Sequence, residues 1–373
     1  MNQENEPKHE PKHELALPRV MVFGAGCIGN YLAGSLLPFY QETPNKLSII
    51  ARQSMVDKVN SSGLTVTDYL GNEHRTPSPI SISTVDAFQA ETSETETPAP
   101  EVPETEAPEI LLLTVKCTAV YASISDIKKV INDNTIIVAL QNGIGSESHL
   151  IQAFPHNKVL TGIVGFNVVE QADGHYHRGT EGEILIEHFD NVGLTQLVEM
   201  FNQQHIPSEL VTNIEQVRWG KLLLNLNNAI NALSDIPLKS QLEQASYRKV
   251  LAACMREALA ALKQSGIAPA KLTKVSPNLV PVILSLPNWL FKRVANQMLA
   301  IDPLARSSMW YDIGQNKVTE IDYINGAVIS LAEKAGTKAP ANALVVRHIK
   351  EAEKAKNGSP AIKAEKLLAG ISN

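Results

Sequence analysis

Apolar residues along this chain fall into two regimes. Up to about residue 212 they come as short continuous runs: Val20-Met21-Val22-Phe23 after Arg19, Leu47-Ser48-Ile49-Ile50-Ala51, Ile110-Leu111-Leu112-Leu113-Thr114-Val115 and Thr135-Ile136-Ile137-Val138-Ala139-Leu140. Unbroken apolar runs of this length predict strands covered on both faces, as in a parallel sheet. Helix-like stretches at 30–37 and 121–131 supply the cover. Residues 159–169 and 183–187 read as further strands, and Asp173-Gly174 marks a turn. From about Thr212 helical spacing dominates, over 215–233, 241–265, 289–299 and 321–335, with breaks at Pro237, Pro277, Pro281 and Pro287. The expected fold class is α/β: a sheet domain over 18–212, then an all-helical domain over 213–373, with a cleft between them.

Two segments depart from this pattern. Residues 1–17 are polar and repeat Pro7-Lys8-His9-Glu10 as Pro11-Lys12-His13-Glu14, which predicts a disordered leader and no secretory signal. Residues 90–109 are rich in Glu, Thr and Pro and hold no Lys or Arg. They cannot bury enough apolar surface to offset their ordering entropy, so a flexible acidic surface insertion is expected. A net charge of −6 argues against a nucleic-acid partner. No apolar run reaches the roughly 18 residues of a membrane span. Cys27, Cys117 and Cys254 are far apart, so neither a metal site nor a disulfide framework is expected, and a cytoplasmic location follows. A helical second domain is compatible with a homodimer, but no surface is singled out.

The chemistry-bearing positions begin at Gly24-Ala25-Gly26-Cys27-Ile28-Gly29, directly after the first strand and opening a helix. In G-x-G-x-x-G the first glycine permits the tight turn, the second lets a pyrophosphate approach, and the third lets helix pack on strand. The second strand ends in Ala51-Arg52, with no acid to bond a ribose 2′-OH. An Arg there suits a 2′-phosphate, so NADP(H) is favoured over NAD. Its distance from the glycines exceeds the usual spacing, and a loop over 41–46 accounts for the excess. Lys116 and Asn142 follow the next two strands, where ligands bind in open α/β sheets; each is also an ordinary turn residue. Lys221, Asn225 and Asn228 share one helix face. A Lys among amides and leucines is desolvated and poised for proton transfer, or it belongs to a solvated polar stripe. Glu320 stands at an expected helix start, where the helix dipole favours a carboxylate, and Ser308 binds a ligand or caps a turn.

Taken together these positions resemble the ketopantoate reductase (2-dehydropantoate 2-reductase) family, from Arg19 to about His348. The resemblance rests on the glycine loop, Thr114-Val115-Lys116, Gln141-Asn142-Gly143, Trp219-Gly220-Lys221-Leu222, Ser307-Ser308-Met309 and Glu320-Ile321-Asp322-Tyr323-Ile324-Asn325-Gly326. It implies a Rossmann-type NADP-binding domain followed by a helical domain, and NADPH-dependent reduction of ketopantoate to pantoate in pantothenate and coenzyme A biosynthesis. It implies Lys221 as proton donor, and Asn225 and Ser308 as substrate-binding residues. Asn142 would lie near nicotinamide and substrate, and Lys116 and Glu320 would contact cofactor or substrate. One departure stands out: a substrate-binding Asn of the family falls, by spacing from Lys221, on Ala229. Asn228 or Asn231 is the stand-in, and helix geometry favours Asn228. Two alternatives follow: a reductase of another branched 2-keto acid, or an NADPH-binding redox sensor using Cys27, which otherwise just fills the phosphate loop.

Overall fold

The computed structural model describes residues 16–92, 102–103, 105–295 and 302–372. The expected leader therefore falls almost wholly outside the described residues, as does the middle of the acidic insertion. The first half alternates strands and helices: β1 Val20–Phe23, α1 Cys27–Leu36, β2 Leu47–Ile50, α2 Gln53–Ser62, β3 Leu64–Asp68, β4 Glu73–Thr76, β5 Ile82–Ser83 and α3 Val85–Thr92. It continues with β6 Ile110–Leu113, α4 Cys117–Ile127, β7 Ile136–Ala139, α5 Glu147–Ala153, β8 Val159–Val164, β9 Val168–Ala172, β10 His175–Arg178, β11 Ile184–Glu187, α6 Val192–Gln203 and β12 Ser208–Val211.

Eight strands form one sheet in the order β12-β11-β8-β7-β6-β1-β2-β5. Every neighbouring pair is parallel except β11 with β8. β1, β6 and β7 bury all their residues, which is why each reads as an unbroken apolar run. Leu111, Leu113 and Ile137 pack with Val120 and Ile127 of α4 on one face. Val20, Val22 and Leu112 pack with Leu32 and Leu36 of α1 on the other.

A second, four-stranded sheet, β4-β3-β10-β9, was not expected. It rests on α1, and a Cβ on Gly34 would lie 2.5 Å from Val66 Cγ1. Arg178, fully buried, ties it down: its Nη2 donates to Asp68 Oδ2 and to His205 O, both at 2.9 Å.

After β12 the chain is helical: α7 Ile214–Ser234, α8 Leu238–Leu242, α9 Ala245–Gln264, α10 Val280–Leu284, α11 Asn288–Val294, α12 Ser308–Gly314, a 3-10 turn Ile321–Tyr323, α13 Asn325–Lys334, α14 Pro340–Ala355 and α15 Ala364–Ser372. One apolar core runs through it, with Leu222, Leu226, Ile230, Met255, Val328 and Val345 fully or nearly fully buried. Among the described residues no helix is long and apolar enough to cross a membrane.

Several boundaries move. The helix expected at 121–131 begins at Cys117, because the chain turns into helix at the end of β6. The stretch 159–169 is two strands, and 241–265 is two helices. The insertion is shorter than 90–109. Residues 90–92 finish α3, and 105–109 are anchored, since Arg19 Nε donates to Ala107 O at 2.9 Å and Ala107 is buried. The extra residues before β2 form two 3-10 turns, Leu37–Tyr40 and Pro44–Lys46.

Candidate active site

Two of the three glycines in the loop, Gly24 and Gly29, are required by packing. Gly24 adopts φ +109°, and a Cβ there would sit 2.8 Å from Val115 N. A Cβ on Gly29 would sit 2.1 Å from Gly24 O and 2.6 Å from Thr114 Oγ1, so α1 can approach the sheet only with glycine there. A Cβ on Gly26 would meet nothing within 4 Å. That glycine keeps open space rather than relieving a clash. α1 has no side-chain cap and no acid in its first turn, so its N-terminus is left for an anion. Asn30 Nδ2 holds the loop through Ala25 O at 2.9 Å. Ala25, Cys27 and Ile28 complete it, and burial pushes the Cys27 thiol above its ordinary range. A thiolate redox sensor needs the opposite shift. Arg52 is exposed at the N-cap of α2, just past β2, and no ion-pair partner is seen for it among the described residues. Free glycine-loop space and an uncapped helix fit the pyrophosphate of a dinucleotide.

The second half of the site is a cleft where the carboxyl ends of the central strands meet α7. Gln141, Asn142, Gly143, Arg218, Lys221 and Asn225 give it its polar lining. Lys221 Nζ donates to Val164 O at 2.7 Å. Burial lowers its pKa from 10.5 to about 8, with the Glu320 carboxylate opposing the shift. Asn225 Nδ2 donates to Asn142 Oδ1 at 2.8 Å, joining the two domains across the cleft. Gly143, at φ +141°, lets the loop pass under the helical domain: Ile144 N donates to Tyr323 O at 2.9 Å, and a Gly143 Cβ would sit 2.7 Å from that oxygen.

Glu320 does not serve the helical turn that follows it. Its Oε1 accepts the Cys117 N–H at 2.9 Å, so it caps α4 in the other domain. Burial raises its pKa, and that N–H and the Lys116 charge work against the rise. Lys116 is ion-paired across the boundary with the largely buried Asp312 of α12. Asn142, Lys221 and Asn225 are thus brought together, with Glu320 acting on Lys221 and Lys116 beside it.

Other expected residues are not brought in. Ser308 is exposed at the start of α12 and does not line the cleft; its neighbour Ser307 is the cap, accepting from Trp310 N at 3.2 Å and donating to Asn228 O at 2.9 Å. Asn228 shares the Lys221 face, but its amide makes no hydrogen bond to described residues. Asn231 is fully buried and engaged with Ile236, Gln241 and Ser307, so its amide is not available to a ligand. Ala229 is fully buried in the helical core. Sequence reading missed Arg218, whose Nη2 lies 2.8 Å from Glu147 Oε2, and gave no role to Gln141 or Asp312. The signal for Arg218 was its place one helical turn before Lys221.

A glycine loop with an uncapped helix N-terminus on a parallel sheet, together with a cleft that holds a buried lysine, fits an oxidoreductase of the dinucleotide-binding class. Residues 20–191 match the family model for ketopantoate reductase PanE/ApbA, and residues 213–353 match the model for its C-terminal part. The chain belongs to the ketopantoate reductase PanE/ApbA family. It is similar to the 2-dehydropantoate 2-reductase of Pyrococcus horikoshii, at 23% identity over 345 residues, covering 91% of this chain and 99% of the relative. Its fold is similar to that of a PanE/ApbA family ketopantoate reductase from Ralstonia eutropha JMP134, with TM-score 0.71, 22% identity, and 90% and 99% of the two chains covered. It is also similar to a D-mandelate dehydrogenase solved with NADH and anilino(oxo)acetate, with TM-score 0.69, 19% identity, and 91% and 99% covered.

Proposed function

We propose that this protein reduces ketopantoate to pantoate with NADPH, and that Lys221 is the proton donor. The observation that carries the reading is the desolvated Lys221 in the cleft between the domains, beside the Asn142–Asn225 pair. The backbone of residues 24–29 would hold the pyrophosphate, Arg52 the 2′-phosphate, and Asn142 the nicotinamide end. A nicotinamide dinucleotide held there would supply the hydride for the keto carbon. As that carbon is reduced, negative charge grows on its oxygen. The Lys221 ammonium stabilises this charge and then passes a proton to the oxygen. Its burial strengthens the interaction and makes the proton easier to release. Asn225 and Asn142 orient the substrate, and Asn228 and Ser308 would supply further contacts to it. Glu320 keeps Lys221 charged while receiving a substrate hydroxyl. Lys116 would sit against cofactor or substrate, held in place by Asp312.

Ala229 favours a second reading, a different branched 2-keto acid handled by the same groups. It gives the family position an apolar residue that contributes only to the core. Free thiols at Cys27, Cys117 and Cys254 suit a reducing cytoplasm.

The direct test is loss of NADPH absorbance with purified protein and ketopantoate, with other 2-keto acids alongside. Rapid turnover on ketopantoate is expected. Turnover only on another acid would leave the second reading, and no turnover on any would count against both.

Two further outcomes are expected. Arg52→Ala weakens NADPH binding by about ten- to a hundredfold, the loss of one or two charge-assisted hydrogen bonds, and leaves NADH binding nearly unchanged. Equal weakening of both would remove the 2′-phosphate role. The pH profile follows from Lys221. Reduction needs the protonated amine, so kcat/KM is level below pH 8 and falls about tenfold per pH unit above it. Oxidation of pantoate needs the neutral amine and rises toward the same pH. A reduction rate that stays level to pH 10 would mean that the pKa of Lys221 is not lowered in the working site.

A further inference from the structure

We infer that Gln141 Oε1 receives the carboxamide N–H of a bound nicotinamide ring; this rests on the dinucleotide reading above. Gln141 lies just past β7 and lines the cleft. Its Nε2 donates to Leu113 O at 2.8 Å and to Val115 O at 3.2 Å, at the end of β6. A side-chain amide has two N–H donors, and both are engaged, which settles the end of the amide that carries oxygen. That oxygen is buried, yet no described group donates to it. Buried carbonyl oxygens without a donor are uncommon in folded proteins, and each invites a reason.

The position supplies one. Val115, whose carbonyl holds Gln141, is also the residue that a Cβ on Gly24 would strike. Gln141 therefore stands between the phosphate loop and the Lys221 cleft, beyond the carboxyl ends of the central strands. A ligand that reaches this point from the phosphate loop must offer a donor. Lys221 and Arg218 are themselves donors, and Asn142 Oδ1 already accepts from Asn225. A keto acid presents chiefly acceptors, which Lys221 attracts. The carboxamide NH2 is the donor at the reacting end of the dinucleotide.

The test is equilibrium binding without keto acid, read by calorimetry. NADPH is compared with its reduced 3-acetylpyridine analogue, which has a methyl ketone in place of the amide and so no N–H. The native protein should bind NADPH about tenfold more tightly than the analogue, the scale of one buried hydrogen bond. Gln141→Met should bring NADPH and the analogue to equal affinity, because the acceptor is gone and the accompanying loss of the Nε2 bonds to Leu113 O and Val115 O acts on both ligands alike. Equal affinity of the native protein for the two overturns the assignment however the variant behaves. So does an NADPH preference that survives in Gln141→Met. Adenosine 2′,5′-bisphosphate, which lacks the nicotinamide, separates the two levels. If the native protein binds neither it nor NADPH, the dinucleotide reading fails and this assignment with it. If both bind and NADPH is not preferred over its analogue, only the role of Gln141 fails.

Discussion

Lys221→Ala is expected to lower kcat for keto-acid reduction by about 10³- to 10⁴-fold, with NADPH affinity unchanged within about twofold. The size follows from two roles on one atom. The ammonium stabilises the developing oxyanion and is also the proton source, so both contributions vanish together. Binding survives because Lys221 belongs to α7, whereas the phosphate loop and Arg52 stand on the sheet domain. Lys221→Arg is the sharper control. It keeps the charge but holds its proton far too tightly, so activity should stay low and the break near pH 8 should disappear. Near-normal turnover in Lys221→Ala, or loss of NADPH binding with it, would contradict the assignment.

The second large effect separates two glycines three residues apart. Gly29→Ala puts a methyl 2.1 Å from the Gly24 carbonyl, a contact only backbone movement can relieve. α1 must back away from β1 and β6, at a cost of about 1–3 kcal/mol or more. Its melting temperature should fall by several degrees and NADPH binding should fail. Gly26→Ala meets no protein atom. The folded state should change by less than about 1 kcal/mol, the scale of a helix-cap substitution. NADPH affinity should nevertheless drop by at least about tenfold, because the methyl stands where the pyrophosphate approaches. A thermal melt and a titration on both variants check the pair. Unchanged binding in Gly26→Ala would mean that no pyrophosphate uses this loop.

Much of this could be read before any coordinates. β1, β6 and β7 are buried on both faces, so their burial is written as consecutive apolar residues. The glycine loop was legible because its demands are local: one turn, one open approach and one close contact. Lys221 and Asn225 were legible as neighbours because helical periodicity alone places them on one face. The second sheet was not legible. β4 is Glu-His-Arg-Thr with no apolar residue, and β9, though it opens on Val168-Val169, is almost wholly exposed, so neither carries the apolar signal of a buried strand. The sheet is held by Arg178 on Asp68, a pair 110 positions apart.

The same distinction runs through the site. Residue type and local spacing determined a dinucleotide loop followed by a helix carrying a lysine and an asparagine, because turns and helices are set by neighbours in the chain. Nothing local joins Asn225 to Asn142, 83 positions away, or Glu320 to the Cys117 N–H, 203 positions away. Nothing local separates Ser307, buried as a cap, from the exposed Ser308, or Asn231, locked in the core, from Asn228. Those choices arise only when α7 and α12 dock against the carboxyl end of the sheet. Docking decides which polar atoms lose water and must find partners, and which remain free for a ligand.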